Sequence, residues 1–210
     1  MSLFCYMNHK LFDKVAILFN NNGHRLYMVG GATRDYLLER PILDYDFVTD
    51  ATPDEMRSFL KDADFTFARF GTVGLKVNGI KVDITTLRVE GDYTDYRHPS
   101  KVIFVRTPKE DYVRRDFTIN ALYVDEEYNI LDYCGGLIDL NNKIIKFIGD
   151  PVIRIKEDPL RILRAERFAK KLGFDFDPET KKAIDDNRHL IDELNPQKVQ
   201  AELEKMKKEF

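Results

Sequence analysis

The chain has 210 residues, 43% of them hydrophobic, which is enough for one ordinary domain or two small ones around a buried core. Its 33 Lys and Arg residues against 36 Asp and Glu residues give a net charge of -3, so no global charge signal indicates nucleic-acid binding. The two cysteines, Cys5 and Cys134, exclude a disulfide framework, and the longest apolar run near the N-terminus, "VAILF", is too short for a membrane span or a signal peptide. We therefore predict a cytoplasmic protein without membrane contact, in which both cysteines are incidental packing residues.

The first part of the chain predicts alternating helices and strands. "HKLFDKVAILFNNNG" has apolar residues at helical spacing, and "RLYMVGG" is typical of a strand that runs into a Gly-Gly turn. "ATRDYLLER" is predicted to be a helix that stops before Pro41, and "LDYDFVT" a strand. The cap "TPDE" predicts the start of another helix, and "TVGLKV" and "IKVDITTL" predict a hairpin joined by Asn78-Gly79.

The second part of the chain becomes helical. "GDYTDYRHPSK" is predicted to be a long loop, "VIFV" a strand, "PKEDYVRRDFT" a helix, and "INALYVD" and "KIIKFI" further strands. From Pro151 onward every segment is predicted to be helical, with Pro151 and Pro159 in first turns and Gly173 as a C-terminal stop. The apolar residues Val199, Leu203 and Met206 near the C-terminus are at helical spacing and predict a helix that packs on its own chain, in preference to a partner.

Charge is distributed unevenly along the chain. Nine acids face three bases between Asp35 and Asp64, whereas nine bases face four acids between Lys143 and Lys171. This pattern suits a metal site in the first part and phosphate binding in the second. The commoner alternative for such runs is a solvated, charged helix face.

An acid pair stands out in "LDYDF", because residues i and i+2 of a strand share a face and Asp44 and Asp46 therefore repel each other. A neighbouring cation would explain the pair. With a third carboxylate on a nearby strand, for which Asp83 in "KVDITT" is the best candidate, the pattern fits two magnesium ions about 3.5 to 4 Å apart. An EF-hand is excluded because its glycine and its final glutamate are missing. The alternative is a set of acids on an exposed sheet face, which Asp83 alone would favour.

The turn "GGATRD" lies between a predicted strand and a predicted helix. Its glycines would let the backbone approach a phosphate at the helix N-terminus, and Arg34 would lie in the first turn. Gly-Gly at this position is more often only a tight turn. The acid pair on the next strand favours the phosphate-binding interpretation.

Six motifs in order resemble those of the class II tRNA nucleotidyltransferases (CCA-adding enzymes) and the related bacterial poly(A) polymerases. They are "VGGATRD", "DYDFVTDATPDEM", "GDYTDYRHPSKVIFV", "RRDFTINALYVD", "GGLIDLNNKIIKFIGDP" and "EDPLRILRAERFA", and they extend from about residue 26 to residue 175. The resemblance implies an α+β fold. A polymerase-β-like catalytic head with a mixed, largely antiparallel sheet would comprise residues 1–148, and an all-helical neck residues 149–210.

The resemblance also implies an activity, the template-independent addition of CMP and AMP to the 3' end of tRNA or another RNA, from CTP and ATP, with two Mg²⁺ ions. Alternatives are a poly(A) polymerase, a partial A-adding or CC-adding enzyme, and a catalytically silent nucleotide-binding or RNA-binding module. Members of the family usually continue into body and tail domains, which are absent here, so we expect either a fragment or a reduced protein. The oligomeric state does not follow from the sequence.

Residue roles follow from the same resemblance. Asp44 and Asp46 would bind the catalytic metals, with assistance from Asp83. The residues implied to bind the nucleotide are Gly30, Gly31 and Arg34 at the triphosphate, Arg115 near phosphate, Asp116 and Asn120 near the ribose, and Asp158, Arg161 and Arg164 in the base-reading neck. Without the resemblance, Arg114 and Arg115 would be an ordinary basic helix face, Asn120 a cap or a buried amide, and Asp158 a helix cap.

Overall fold

The computed structural model describes residues 3–42, 44–91 and 102–208, with side chains from Lys10 to Lys207 within those ranges. Its first elements are α1 (Leu3–Asn20), β1 (Leu26–Met28), α2 (Gly30–Leu37), β2 (Tyr45–Thr49), α3 (Pro53–Phe59), β3 (Thr72–Val77), β4 (Ile80–Thr86), β5 (Arg88–Glu90) and β6 (Val102–Phe104). They are followed by α4 (Pro108–Asp111), β7 (Leu122–Val124), β8 (Ile130–Asp132), α5 (Gly136–Asn142) and β9 (Ile144–Ile145). The last elements are α6 (Pro151–Glu157), α7 (Leu160–Leu172), β10 (Asp175–Phe176), α8 (Pro178–Asn187) and α9 (Pro196–Lys208). The predicted loop "GDYTDYRHPSK" lies almost entirely outside the described residues.

The main sheet has the strand order β3-β4-β2-β1-β7-β8. Strands β2 and β4 run parallel, and the other neighbouring pairs are antiparallel, which confirms the predicted mixed, largely antiparallel sheet. The hairpin between β3 and β4 is also confirmed. Asn78 and Gly79 both have positive φ, as the tight turn of a two-residue hairpin requires.

One face of the sheet is covered by α1. The apolar side of this helix, which includes Phe12, Val15 and Phe19, is buried in the same cluster as Phe47 of β2 and Ile84 of β4. The hydrophobic effect therefore fixes one face of β2 and leaves the alternate residues of this strand, Asp46 among them, on the other face.

A second hydrophobic cluster joins the end of the sheet region to the later helices. Phe117 and Phe147 pack with Ile162 and Phe168 of α7 and with Ile184 of α8. The cluster combines residues from both sides of position 149, and the boundary between head (1–148) and neck (149–210) stays a prediction.

Two predicted elements differ from the structure. The predicted helix 108–118 ends as α-helix at Asp111, continues as a 3-10 turn (Tyr112–Arg114), and is extended at Arg115. Tertiary pairing explains this, since the Thr118 N–H donates to the Lys146 carbonyl and the Ile148 N–H to the Asp116 carbonyl. The region after Pro151 is not wholly helical either, because β10 follows Gly173 and pairs in parallel with β9.

Other local predictions are confirmed. The capping box of α3 forms between Thr52 and Glu55, and Gly173 ends α7 with a φ of 71°. Val199 and Leu203 of α9 pack against Leu160 and Leu163 of α7, as predicted for intramolecular packing. Strand β8 and helix α5 were not predicted.

Two exclusions made from composition can be compared with the structure. Within residues 3–42, 44–91 and 102–208, no helix is long and apolar enough to cross a membrane. Cys134 is a free, partly buried cysteine, and burial raises the pKa of its thiol to about 11. A thiol with such a pKa is a poor nucleophile, consistent with the predicted packing role.

Candidate active site

A cavity of about 1290 Å³ lies between the sheet and the helices α7 and α9. Its lining contains ten Lys and Arg residues and seven Asp and Glu residues, so it is strongly polar with an excess of positive charge. The predicted site residues that line it are Gly30, Gly31, Arg34, Asp44, Asp46, Arg115, Asp116, Asn120, Asp158, Arg161 and Arg164. Asp83 is the one predicted site residue that is not part of this lining.

The acid pair lies at the start of β2, with both side chains exposed toward the cavity. Although Asp46 has access to solvent, the surrounding cavity walls bury it enough to raise its pKa to about 6. The Arg115 charge opposes this increase, whereas the charges of Asp83 and Asp44 add to it. Arg115 thus supplies part of the positive charge that the sequence predicted near the acid pair. Because the pKa of Asp46 is still raised, the site favours additional positive charge.

Asp83 lies on β4 directly opposite Asp46 in the parallel register. Its side chain is 46% exposed and its Oδ1 atom lies 3.5 Å from the Lys81 Nζ atom. The described part of the chain contains no group of three or more Asp, Glu, His or Cys side chains arranged to hold one metal ion. The role of Asp83 as an assisting acid therefore stays a prediction.

The Gly-Gly turn brings the start of α2 against the acid pair. Gly30 has a φ of +70°, a backbone conformation that favours glycine, and a Cβ atom added there would be in van der Waals contact with the Asp46 Oδ2 atom at 3.5 Å. The Val29 N–H, immediately before the turn, donates to the Asp46 carbonyl at 3.1 Å. The N-terminus of α2 and the acid pair thus lie at the same end of the cavity.

Arg34 is built into the cavity wall, with only 2% of the residue exposed. Its guanidinium donates to Asp35 Oδ1 and, at 2.9 Å, to Asn120 Oδ1, and it lies over the Phe168 ring at 5.1 Å from the ring centre. The ring contact joins α2 to α7, and the hydrogen bond to Asn120 joins α2 to the segment just before β7. The predicted triphosphate contact of Arg34 stays a prediction.

A hydrogen-bonded chain continues from Arg34 to the neck. Asn120, which is buried, donates through Nδ2 to Asp116 Oδ1, and Asp116 Oδ2 accepts from the guanidinium of Arg164. Burial favours a higher pKa for Asp116, but the Arg164 charge and the hydrogen bonds hold it at about 2. Asn120 is therefore a buried amide, which was one of the alternatives considered from the sequence. It lies between Arg34 and Asp116, two residues that are predicted to bind the nucleotide.

Arg114 and Arg115 are not a solvated helix face. Both are mostly buried, and both pair with Asp111, which is fully buried. Sequence reasoning missed Asp111, although its positions three and four residues before the two arginines are an ion-pair spacing on a helix. It also missed Arg88 and Glu90 on β5, which line the cavity beside Arg114.

The neck residues line the cavity at the start of α7. Asp158 Oδ1 accepts the backbone N–H of Leu160 at 3.1 Å, which is the contact that the capping alternative expected. Arg161 Nη1 donates to the Arg154 carbonyl at 2.7 Å and to Glu157 Oε2 at 2.6 Å. Both side chains border the cavity while making these contacts, and base reading stays a prediction.

Helix α9 forms a wall of the cavity that sequence reasoning did not assign. Its contribution consists of Gln197, Lys198, Ala201, Glu202 and Lys205. Arg167 Nε on α7 donates to Glu202 Oε1 at 2.7 Å, and both side chains are buried. Because these two residues are 35 positions apart, no local spacing could have indicated the pair.

The sequence matches the model of a known protein family, described as the Poly A polymerase head domain, over residues 26–146. This chain belongs to that family. A CCA-adding enzyme of Bacillus pumilus (strain SAFR-032) is 40% identical over 204 residues, which cover 96% of this chain and 51% of the relative. A CCA-adding enzyme of Geobacillus sp. (strain WCH70) is 46% identical over 186 residues, which cover 88% of this chain and 46% of the relative. The resemblance inferred from the six motifs is confirmed.

Solved structures of this family agree with the fold. The Bacillus stearothermophilus CCA-adding enzyme in complex with CTP has 33% sequence identity and a TM-score of 0.87, covering 98% of this chain and 49% of that one. The Thermotoga maritima CCA-adding enzyme complexed with tRNA has 26% identity and a TM-score of 0.75, covering 94% of this chain and 46% of that one. The chain thus spans about half the length of the relatives it matches.

Proposed function

We propose that this chain carries the nucleotidyl-transfer site of a template-independent enzyme that adds CMP and AMP to the 3' end of tRNA and releases pyrophosphate. Relatives named CCA-adding enzymes support the proposal, and one solved relative is described in complex with CTP and another with tRNA. Because the chain covers about half of those proteins, its activity and partners are proposals.

The observation that carries the proposal is the meeting of two groups of residues in one cavity. The sheet side contributes the acid pair Asp44 and Asp46 and the glycine turn, and the helical side contributes Asp158, Arg161 and Arg164. A nucleoside triphosphate placed between them would have its phosphates near the carboxylates and its base near α7. The excess of basic residues in the lining favours a polyanionic ligand.

The donor set at Asp44 and Asp46 fits magnesium. Mg²⁺ retains much of its coordination shell as water and substrate phosphate and often takes only one or two protein carboxylates. Two carboxylates that face the cavity, one of them with a pKa raised to about 6 by burial and by the neighbouring carboxylates, match that requirement. When bound, magnesium would neutralise phosphate charge and lower the pKa of the attacking hydroxyl.

The proposed transfer is a direct displacement. The oxygen of the RNA 3'-hydroxyl forms a bond to the α-phosphorus, the bond from that phosphorus to the bridging oxygen breaks, and pyrophosphate leaves while the hydroxyl proton is released. The cavity residues orient the two reactants in line, which removes most of the entropic cost of the encounter. No covalent intermediate with the protein is required.

Selection of the base is proposed to come from Asp158 and Arg161. A carboxylate accepts hydrogen bonds and a guanidinium donates them, and cytosine and adenine each offer an amino donor beside a ring-nitrogen acceptor. Uracil and guanine present the reverse arrangement. The two residues are three positions apart at the start of α7 and border the same cavity, so they can act together on one base.

The test is labelling of a tRNA that lacks its 3' terminal CCA, with each of the four NTPs supplied separately in the presence of Mg²⁺. The proposal expects incorporation from CTP, and from ATP once CC is present, with little from UTP or GTP. Long A tracts would favour poly(A) addition, whereas only A or only CC would indicate a partial enzyme. Absence of any transfer by a folded chain that binds CTP would refute the proposed activity and favour a silent binding module.

A cytoplasmic location of the protein stays a prediction.

A further inference from the structure

Asp111 has no place in the proposed transfer, and yet it is the centre of a dense polar network beside the cavity. The residue is fully buried, at 0% exposure. Its Oδ1 atom accepts from the Arg88 backbone N–H at 3.0 Å and from Arg114 Nε at 2.7 Å. Its Oδ2 atom accepts from Arg115 Nε at 3.0 Å and from the Tyr123 hydroxyl at 2.8 Å. A buried carboxylate with four donors is fixed in position and remains ionised.

The two arginines depend on Asp111 to different degrees. Arg114 has a second acid nearby, because its Nη1 atom lies 3.6 Å from Glu90 Oε1. Arg115 contacts Asp111 and Tyr123. Its Nε atom donates to Asp111 Oδ2 and, at 2.9 Å, to the Tyr123 hydroxyl, and its Nη2 atom lies 2.9 Å from Asp111 Oδ2. Its guanidinium also lies over the Tyr123 ring. The Tyr123 hydroxyl itself donates to Asp111. Loss of the Asp111 carboxylate would therefore release Arg115 more than Arg114.

Arg115 carries this network to the cavity, because it lines the same cavity as Asp44 and Asp46. An arginine side chain has several rotatable bonds, so a guanidinium that must meet a ligand at one place gains from being held there before the ligand binds. Asp111 and Tyr123 supply that restraint from the side away from the cavity.

We propose that Asp111 is a positioning residue that acts through Arg115, holding its guanidinium at the wall of the cavity that contains the acid pair, where it meets the phosphates of a bound nucleoside triphosphate. The identity of that ligand rests on the proposed function. The role is distinct from general support of the fold, because it requires Arg115 to be present.

The experiment is a double-mutant cycle on the affinity of the 210-residue chain for CTP with Mg²⁺, measured by calorimetry. Asp111→Asn keeps the shape and removes the charge, and we expect it to weaken CTP binding roughly 10-fold, the scale on which one charge-assisted contact acts. In an Arg115→Ala background the same change should weaken binding less than about 2-fold. Equal losses in both backgrounds, or no loss in either, would overturn the proposal.

Arg114→Ala provides the matched control, because Arg114 binds the other oxygen of the same carboxylate. In this background Asp111→Asn should retain its full roughly 10-fold effect, whereas disappearance of the effect would assign the role to Arg114 and refute the inference.

If Asp111→Asn does not fold, Tyr123→Phe replaces it, since it removes one hydrogen bond from each of Asp111 and Arg115 and retains the ring. We expect it to weaken CTP binding about 2-fold to 3-fold, again only where Arg115 is present, and an equal loss without Arg115 would contradict the proposal.

Binding and transfer separate this inference from the proposed function. Suppose that the chain binds CTP, that Asp111→Asn weakens this binding only when Arg115 is present, and that the chain does not extend RNA. This result would support the positioning role of Asp111 and refute the transferase assignment. A parent chain with no measurable affinity for CTP would overturn both.

Discussion

The ion pair between Asp116 and Arg164 links the sheet region to α7, and its removal tests how the two are held together. Asp116→Asn retains an oxygen for the Phe117 N–H and for Asn120 but turns an amide N–H₂ toward Arg164. The pKa of Asp116 lies at about 2 against an ordinary value of 3.8. At about 1.4 kcal/mol per unit of pKa, the ionised form contributes on the order of 2 to 3 kcal/mol to folding at pH 7. The side chain is 11% exposed, so solvent screening reduces this figure little.

The sign of the pH dependence follows from the direction of the pKa change. A carboxyl whose pKa is lower in the folded state stabilises the fold above its unfolded pKa, and this contribution is lost as the pH falls from about 4 toward 2. Urea denaturation at pH 7 should therefore show a loss on the order of 2 to 3 kcal/mol in the Asp116→Asn variant, and at pH 3 about half of that difference should remain.

Two comparisons make this measurement decisive. Arg164→Gln should cost little more in the Asp116→Asn background, because the pair is already broken. Asp185→Asn breaks an exposed pair with Lys181 on α8 and should cost less than about 0.5 kcal/mol. A loss in Asp116→Asn that is below about 0.5 kcal/mol at pH 7, or that is the same at pH 7 and pH 3, would refute the electrostatic reasoning.

Three further outcomes are expected. Asp44→Ala or Asp46→Ala should abolish nucleotide transfer in the labelling assay. The thermal stability of the metal-free chain should be unchanged or higher, because repulsion between the carboxylates is relieved. Substantial magnesium-dependent activity in either variant would contradict the metal assignment. Asp158→Asn should relax the preference for CTP and ATP over UTP and GTP, measured as relative kcat/KM. Asparagine can still accept the hydrogen bond from the Leu160 N–H, but it also brings a donor to the base. An unchanged preference would show that Asp158 only caps the helix. Binding of tRNA to this chain should be weak and should fall steeply as salt rises in a filter-binding titration, and tight, salt-insensitive binding would show that the main RNA-gripping surface lies within these residues.

Much of the site could be predicted from short-range patterns. Asp44 and Asp46 are two positions apart at the entry to β2, Asp44 just before the strand and Asp46 within it, and Gly30 has positive φ beside Asp46, so short-range patterns were sufficient to indicate them. The order of six motifs then added the neck residues. The register places Asp83 opposite Asp46, its side chain pairs with Lys81 and lies outside the cavity lining, and its role as an assisting acid stays a prediction.

The sequence by itself determined the hairpin at Asn78-Gly79, the capping box of α3 and the stop at Gly173, because each depends on backbone preferences within a few residues. The α+β class followed from the order of the six motifs. Only the tertiary structure decided that the segment around Arg115 leaves the helix to pair with residues 146–148. It also decided that Glu202 would bring α9 to the cavity through Arg167, and that Asp116 would meet Arg164 of α7. Buried polar groups must find partners wherever the fold provides them. Those partners lie on different elements, and their distances in space are set by packing of the core, which short-range sequence patterns do not contain.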